Sequence, residues 1–173
     1  ARKIIRSNDK VLDLGCGSGV VGCYLYKKKI IKFIYGSDIS EAAVRCSIFN
    51  AKKLTKDFDI RLSNSLSNWK NKKFDLIIND ISGISSQINN ISKWFKFAPN
   101  ESGIDGIKFT INILKDYKNK KFNNADLLFP VLGLSNREKI INFLKKNKIN
   151  YKIRVKKEWP LPKDLIKHQF ILK

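Results

Sequence analysis

The sequence contains no methionine, one histidine (His168), three cysteines and four prolines in 173 residues. Cys16, Cys23 and Cys46 form no C-x-x-C pair, and a lone histidine cannot complete a zinc set, so neither a structural metal nor a disulfide framework is expected. No apolar run approaches the roughly 18 residues needed to cross a bilayer. The first residues, ARKIIRSNDK, also lack the apolar stretch of a secretory signal. A soluble, cytoplasmic protein with no membrane contact is expected. The absence of methionine extends to position 1, which leads to the expectation that further residues precede Ala1. Acids are scarce as well: 15 Asp plus Glu face 35 Lys plus Arg, a formal charge of +20.

That charge is partly compositional drift. Lys outnumbers Arg 29 to 6, and Lys, Ile and Asn together make 70 of the 173 residues, as an A+T-rich genome would favour. Such drift does not deplete acids, and an excess of twenty positive charges attracts polyanions and repels basic partners. A nucleic acid or a ribosomal or other translation protein is therefore the expected partner, while the oligomeric state is not legible. At 43% hydrophobic and 11% aromatic residues the chain can bury a core, which excludes global disorder. One domain spanning residues 1–173 is expected.

Short β-rich apolar runs alternate with longer helical patterns, the signature of a doubly wound α/β fold with a mostly parallel sheet. The patterns predict seven strands, over residues 10–14, 31–37, 59–62, 74–79, 126–132, 151–157 and 168–172. Helical spacing covers 19–28, 40–53, 106–118 and 136–147, with Ser40 as a predicted N-cap. The connection 158–167 contains Pro160 and Pro162 and is too short for a crossover helix, so the last two strands are expected to form an antiparallel hairpin. The long stretch 81–105 is predicted to be irregular, as lids and binding loops are.

The strongest local signal is Val11-Leu12-Asp13-Leu14-Gly15-Cys16-Gly17-Ser18-Gly19, a strand running into alternate glycines and then a helix. Glycine there permits a tight turn and lets a ligand lie against the backbone. Nineteen residues after Gly19, Asp38 ends the second predicted strand, where a carboxylate can accept hydrogen bonds from both hydroxyls of a ribose. An adenosine-containing ligand is expected, against the plainer reading of a glycine turn chosen for helix packing. Gly17, Gly19 and Gly22 also satisfy the dinucleotide pattern G-x-G-x-x-G. Asp13 at the mouth of the loop would repel a pyrophosphate and favour a cationic group, which suits S-adenosylmethionine (SAM) better than NAD. An NAD-linked oxidoreductase is the weaker rival, since no catalytic His, Tyr and Lys arrangement is evident.

VLDLGCGSG, followed by the strand ending in GSDIS, closely resembles the SAM-binding motifs of class I methyltransferases, from Asn8 to Lys173. The resemblance implies a seven-stranded Rossmann-like sheet with a terminal hairpin. It implies that Asp13, Gly15, Cys16, Gly17 and Gly19 form the methionine side of the cofactor site, that Asp38 holds the ribose and that Ile39 packs on the adenine. After the third strand, where the family places a polar residue against the adenine amino group, the sequence reads Ser63-Asn64-Ser65-Leu66. The usual acid is absent, and Asn64 or Ser65 takes its place. S-adenosylhomocysteine would be the product.

The fourth strand runs Phe74-Asp75-Leu76-Ile77-Ile78-Asn79-Asp80-Ile81-Ser82. It resembles the small-domain subgroup, which includes the release-factor glutamine and ribosomal methyltransferases and commonly has Asn-Pro-Pro-Tyr here. Asn79 matches and would face both cofactor and acceptor, but the prolines and the aromatic are missing. Two readings of Asp80 stay open: a carboxylate that takes a proton from an amine or hydroxyl acceptor, or a cap for the turn. Gly103-Ile104-Asp105-Gly106 resembles the Gly-x-Asp-Gly segment of the same subgroup and is expected to open a helix with Asp105 as its cap. Trp94, Phe95 and Phe97, interleaved with Lys93 and Lys96, could stack on a base while neutralising phosphate, or pack as a lid. Trp159 is a further candidate for the acceptor wall, and His168 is read as structural. The expected activity is SAM-dependent methylation of a nucleic-acid base or a translation protein. The altered Asn79 segment keeps open a catalytically silent fold that binds RNA or protein.

Overall fold

A computed structural model describes residues 4–6, 8–81, 83–91, 101–118, 122, 124–158, 160–161 and 163–167. The elements run β1 (Val11–Leu14), α1 (Val20–Lys27), β2 (Ile34–Asp38), α2 (Glu41–Lys52), β3 (Phe58–Leu62), a 3-10 turn (Ser67–Trp69), β4 (Leu76–Asn79), α3 (Ser86–Ile91), α4 (Lys108–Lys118), β5 (Asp126–Leu128), α5 (Arg137–Lys146) and α6 (Lys163–Ile166). They fall into two compact units, one of residues 1–81 and 112–130, the other of 82–111 and 131–173.

The first unit holds a five-stranded sheet ordered β3-β2-β1-β4-β5, in which every neighbouring pair is parallel. Parallel pairing buries both faces of the central strands: all four residues of β1 and of β4 are buried, whereas the edge strands β3 and β5 are only partly so. Alternation sends Leu12, Leu14 and Ile77 to one face, against Tyr35, Leu66, Trp69 and Phe74. Val11, Leu76 and Ile78 go to the other face, against Leu25 and Ile31. The strand order reverses between β1 and β4, and open α/β sheets bind ligands outside the carboxyl ends of the strands at such a point. Ser40 caps α2 as expected, its hydroxyl accepting from the Ala43 N–H at 3.4 Å.

In the second unit Ile84, Ile88 and Leu165 form a small core with Ile91, Leu132 and Leu134 against it. Ile84 and Glu101 make an isolated parallel bridge. The start of α4 is capped by Ser102, whose hydroxyl accepts from the Phe109 N–H at 2.9 Å. Asp105 does not cap α4: its carboxylate takes the Lys139 ammonium at 2.7 Å, and its carbonyl accepts the Asn136 N–H at 2.8 Å.

Three sequence expectations change. The sheet has five strands among the described residues, and 151–157 is irregular rather than a strand. Tyr151, Ile153 and Val155 alternate as a strand would, but they are 45%, 61% and 79% exposed, so no apolar face fixes a register. The connection that was to be a hairpin turn contains α6, and 168–172, the other arm, lies outside the described residues. The stretch 81–105 is not wholly irregular, since it contains α3. Trp94, Phe95, Phe97, Lys93, Lys96, Trp159, Ser82 and His168 also lie outside the described residues.

Candidate functional site

The carboxyl ends of β1, β2 and β4 bring Asp13, the glycine loop, Asp38, Asn79 and Asp80 to one edge of the sheet. The loop is pinned beneath by β2, whose Ser37 carbonyl accepts both the Gly15 and the Cys16 N–H, at 2.8 and 2.9 Å. Above, Asp38 clamps it. One carboxylate oxygen accepts the Gly17 N–H and the other the Ser40 N–H, each at 2.9 Å. A carboxylate offers about four lone-pair directions, so each oxygen retains capacity for a ligand hydroxyl.

The glycines have separate jobs. A Cβ on Gly15 would lie 2.3 Å from the Ile81 side chain, and one on Gly19 would strike Ser47 of α2, so both are packing positions. Only Gly17 faces open space, with nothing within 4 Å of a notional Cβ and a left-handed φ of 54°. Of the three loop glycines it is the one with room beside its Cα for a ligand. Cys16 turns inward: it is buried, its side chain 3.4 Å from where a Gly36 Cβ would sit. Burial pushes its thiol up to about 12, against a hydrogen bond with Ser47. Its N–H and carbonyl are consumed by Ser37 and Gly19.

Asp13 lies on the α1 side of β1, 3% exposed, and accepts the Gly22 N–H at 3.3 Å. Burial pushes its carboxyl up to about 6; the Gly22 N–H opposes this, and the charges of Asp80 and Asp38 add to it. Two acids thus act on a third at a single edge, an environment that disfavours an added phosphate and favours a cation.

The β4 end is built differently. Asn79 is 2% exposed; its carbonyl oxygen accepts the Ile81 N–H at 3.0 Å, while its amide nitrogen has no partner among the described residues. The turn after β4 is therefore closed by Asn79, not by Asp80. Asp80 is exposed and makes no hydrogen bond among the described residues. Beside Asp38, Ile39 is 63% exposed, an apolar surface with no cover from the described residues. The β3 end is tied to the site by the Ser63 N–H, which donates to the Asp38 carbonyl at 2.8 Å. Asn64 is exposed, whereas Ser65 has a left-handed φ of 52° and a buried hydroxyl without a partner among the described residues. Sequence reasoning missed Ser37 and Ile81, which shape the loop from outside it; the β1–β2 pairing reveals the first and the approach to Gly15 the second.

Residues 2–80 match the family model of the methyltransferase small domain. The ribosomal protein L11 methyltransferase of Thermosipho melanesiensis is 38% identical over 80 residues, covering 46% of this chain and 30% of that protein. The release factor glutamine methyltransferase of Borreliella burgdorferi is 35% identical over 125 residues, 67% of this chain and 42% of that protein. The chain thus spans less than half the length of these relatives. Among solved structures, the ribosomal protein L11 methylase of Lactobacillus delbrueckii subsp. bulgaricus superposes with a TM-score of 0.63 at 17% identity, covering 91% of this chain and 68% of that one. A candidate tRNA (m1A22) methyltransferase of Streptococcus pneumoniae, solved in complex with S-adenosyl-L-methionine, gives 0.57 at 16% identity, covering 84% and 57%. Residues 2–80 thus resemble the methyltransferase small-domain family, and the five-stranded parallel sheet has the Rossmann-like fold of these methyltransferase structures.

Proposed function

We propose that this chain binds SAM at the carboxyl edge of β1 and β2 and methylates a nucleic-acid base or a translation protein in the cytoplasm. The observation that carries this is the grouping of three acids at the end of the glycine loop: Asp38 and Asp80 act on the Asp13 carboxyl, and Asp38 clamps the loop at Gly17. Negative potential there suits a ligand bearing an ammonium and a sulfonium, and it opposes the pyrophosphate of a dinucleotide. SAM supplies a methyl group already activated on sulfur and leaves as S-adenosylhomocysteine.

Asp38 holds the ribose through the lone pairs its two backbone bonds leave free. Asp13 faces the cationic methionine end, with Gly15, Cys16 and Gly19 shaping the loop and Gly17 leaving room beside its Cα. Ile39 offers an apolar surface to the adenine, and Asn64 or Ser65 a polar edge. On the acceptor side the unpaired amide of Asn79 donates a hydrogen bond, and Asp80 accepts one from an amine or hydroxyl and takes its proton. An in-line approach held by such contacts supplies much of the rate, so few catalytic side chains are required. The charge of +20 and the acceptors after which the two relatives are named, a ribosomal protein and a release factor, favour a translation-related acceptor.

Calorimetry with SAM and NAD in parallel tests the cofactor. SAM is expected to bind and NAD not, and Asp38→Ala should weaken SAM by about thirtyfold or more, the value of charge-assisted hydrogen bonds together with the lost loop clamp. Absence of SAM binding would end the reading. A second reading, a fold that binds RNA or protein without transfer, is favoured by one observation: Ile81, where the subgroup commonly has proline, packs over Gly15. Labelled SAM offered to fractionated RNA and protein separates the two. Transfer that disappears in Asp80→Ala, with folding intact, rejects the silent version.

A further inference from the structure

At the end of α1 opposite the glycine loop, the surface opens into a groove of about 510 Å3 lined by Tyr26, Lys27, Lys29, Ile31, Lys32 and Leu54. Two turns of the first unit build it, residues 27–32 after α1 and 52–57 after α2. Together they carry seven lysines and one acid, Asp57, whose carboxylate accepts from the Thr55 hydroxyl at 3.3 Å. All seven lysines are exposed, and among the described residues none is in an ion pair. Of the seven, Lys53 lies over the Phe49 ring, its Nζ 4.1 Å from the centroid.

Helix C-termini favour cations, which accounts for Lys27 in the last turn of α1. It does not account for the rest. Lys29 holds a left-handed φ of 57° at the position after the helix, where glycine or asparagine would sit without strain. Lys32 stands beyond the turn, at the approach to β2. The floor between these charges is Tyr26, Ile31 and Leu54, an aromatic ring and two aliphatic side chains. Clustered cations over an aromatic and apolar floor suit a chain of phosphates whose bases can stack. An acidic protein segment would use the charge and have little use for the ring.

We propose that this groove binds single-stranded RNA, as an anchoring surface separate from the methyl-transfer edge. The inference deepens the nucleic-acid side of the proposed function but does not require SAM. The eight residues of α1 run from the glycine loop to the groove, about 12 Å, so a short stretch of one strand could occupy the groove while a neighbouring nucleotide reaches the loop.

The test is fluorescence anisotropy of a labelled single-stranded 12-mer RNA on the full chain, across 50 to 200 mM salt. Replacing Lys27→Gln, Lys29→Asn and Lys32→Gln together should weaken binding about tenfold or more and reduce the salt slope by about 2, near 0.7 per phosphate contact. A control with Lys70→Gln, Lys145→Gln and Lys146→Gln, also exposed lysines, should change affinity less than about threefold and leave the slope close to the parent. Tyr26→Ala should weaken binding several-fold with the slope unchanged, the mark of stacking. Equal losses in the two triple variants would overturn the proposal. So would a poly-glutamate peptide that binds as tightly as the RNA and responds to the same lysines. RNA binding that depends on the groove in a chain that transfers no methyl group would sink the proposed activity and leave the anchor standing. Methyl transfer to RNA with groove-independent binding would do the reverse.

Discussion

The β1–β2 end of the site and the β4 end lie on the same sheet edge but are finished to different degrees. At β1 and β2 the backbone donors are placed: Ser37 takes Gly15 and Cys16, Asp38 takes Gly17 and Ser40, and Asp13 takes Gly22. At β4 the Asn79 amide nitrogen is buried without a partner among the described residues, and Asp80 makes no hydrogen bond among them. A buried donor left unpaired costs roughly 1–3 kcal/mol, so it is retained where something else repays it. The half proposed for the cofactor thus has its loop backbone preorganised, with only the Ser37 and Ser65 hydroxyls buried without partners among the described residues, whereas the half proposed for the acceptor leaves both of its named side chains, the Asn79 amide and Asp80, to be engaged by a partner.

Gly15→Ala should damage the finished half most. Its Cβ would meet Ile81 at 2.3 Å, and its φ of 74° strains any side chain, so a loss of about 3 kcal/mol is expected from overpacking and backbone strain together. Gly17→Ala, at φ 54° in open space, should lose only the strain, about 1 kcal/mol, while weakening SAM. Chemical denaturation of both variants checks this. Equal destabilisation would show that Ile81 yields freely and that the two glycines do the same work.

Asp13→Asn should have an effect of similar size and opposite sign. A carboxyl raised from 3.8 unfolded to about 6 folded binds more protons in the native state between those pH values, so native stability falls as pH rises through that window. The loss is complete above about pH 6 and amounts to about 3 kcal/mol, at 1.36 kcal/mol per unit. Asparagine can still accept the Gly22 N–H. The variant should therefore be the more stable protein at pH 8, lose that advantage by pH 4, and bind SAM less tightly. In the parent, SAM affinity should rise from pH 5 to pH 7 as Asp13 ionises, with proton release detectable by calorimetry in two buffers. A pH-independent affinity would remove Asp13 from the cationic end.

This division follows what the sequence could convey. The loop, Asp38, the strands of the first unit and the Ser40 cap were legible because each depends on residues within a few positions. What each glycine does was not, since Ile81 and Ser47 arrive from distant segments. Asp105 read as a cap because acids often are, yet the approach of Gly83 to Ser102, 2.3 Å from a notional Cβ, brings the Ser102 hydroxyl to the helix start instead. At 151–157 alternation alone suggested a strand; alternation specifies a face only where something covers it.

Ser40→Ala offers a smaller test of the same half. It removes the hydroxyl that accepts from Ala43 but keeps the Ser40 N–H that Asp38 accepts. A loss of about 1 kcal/mol in stability is expected, with SAM affinity unchanged. A large affinity loss would mean that the α2 cap and the Asp38 clamp act as one unit.

The smallest expected effect on stability is at the other half. Asp80 is exposed and makes no hydrogen bond among the described residues, so Asp80→Asn should move the unfolding midpoint little, within about 0.5 kcal/mol. Its charge nevertheless raises the Asp13 carboxyl, after burial and against the Gly22 hydrogen bond. Removing it should lower the Asp13 midpoint from about 6 while burial keeps that midpoint above 3.8, a shift readable by NMR titration of the Asp13 carboxyl. If methyl transfer falls in this variant while stability and SAM affinity hold, Asp80 serves the acceptor. If the Asp13 midpoint does not move, the two ends of the edge are electrostatically separate, and the contrast between them is one of construction only.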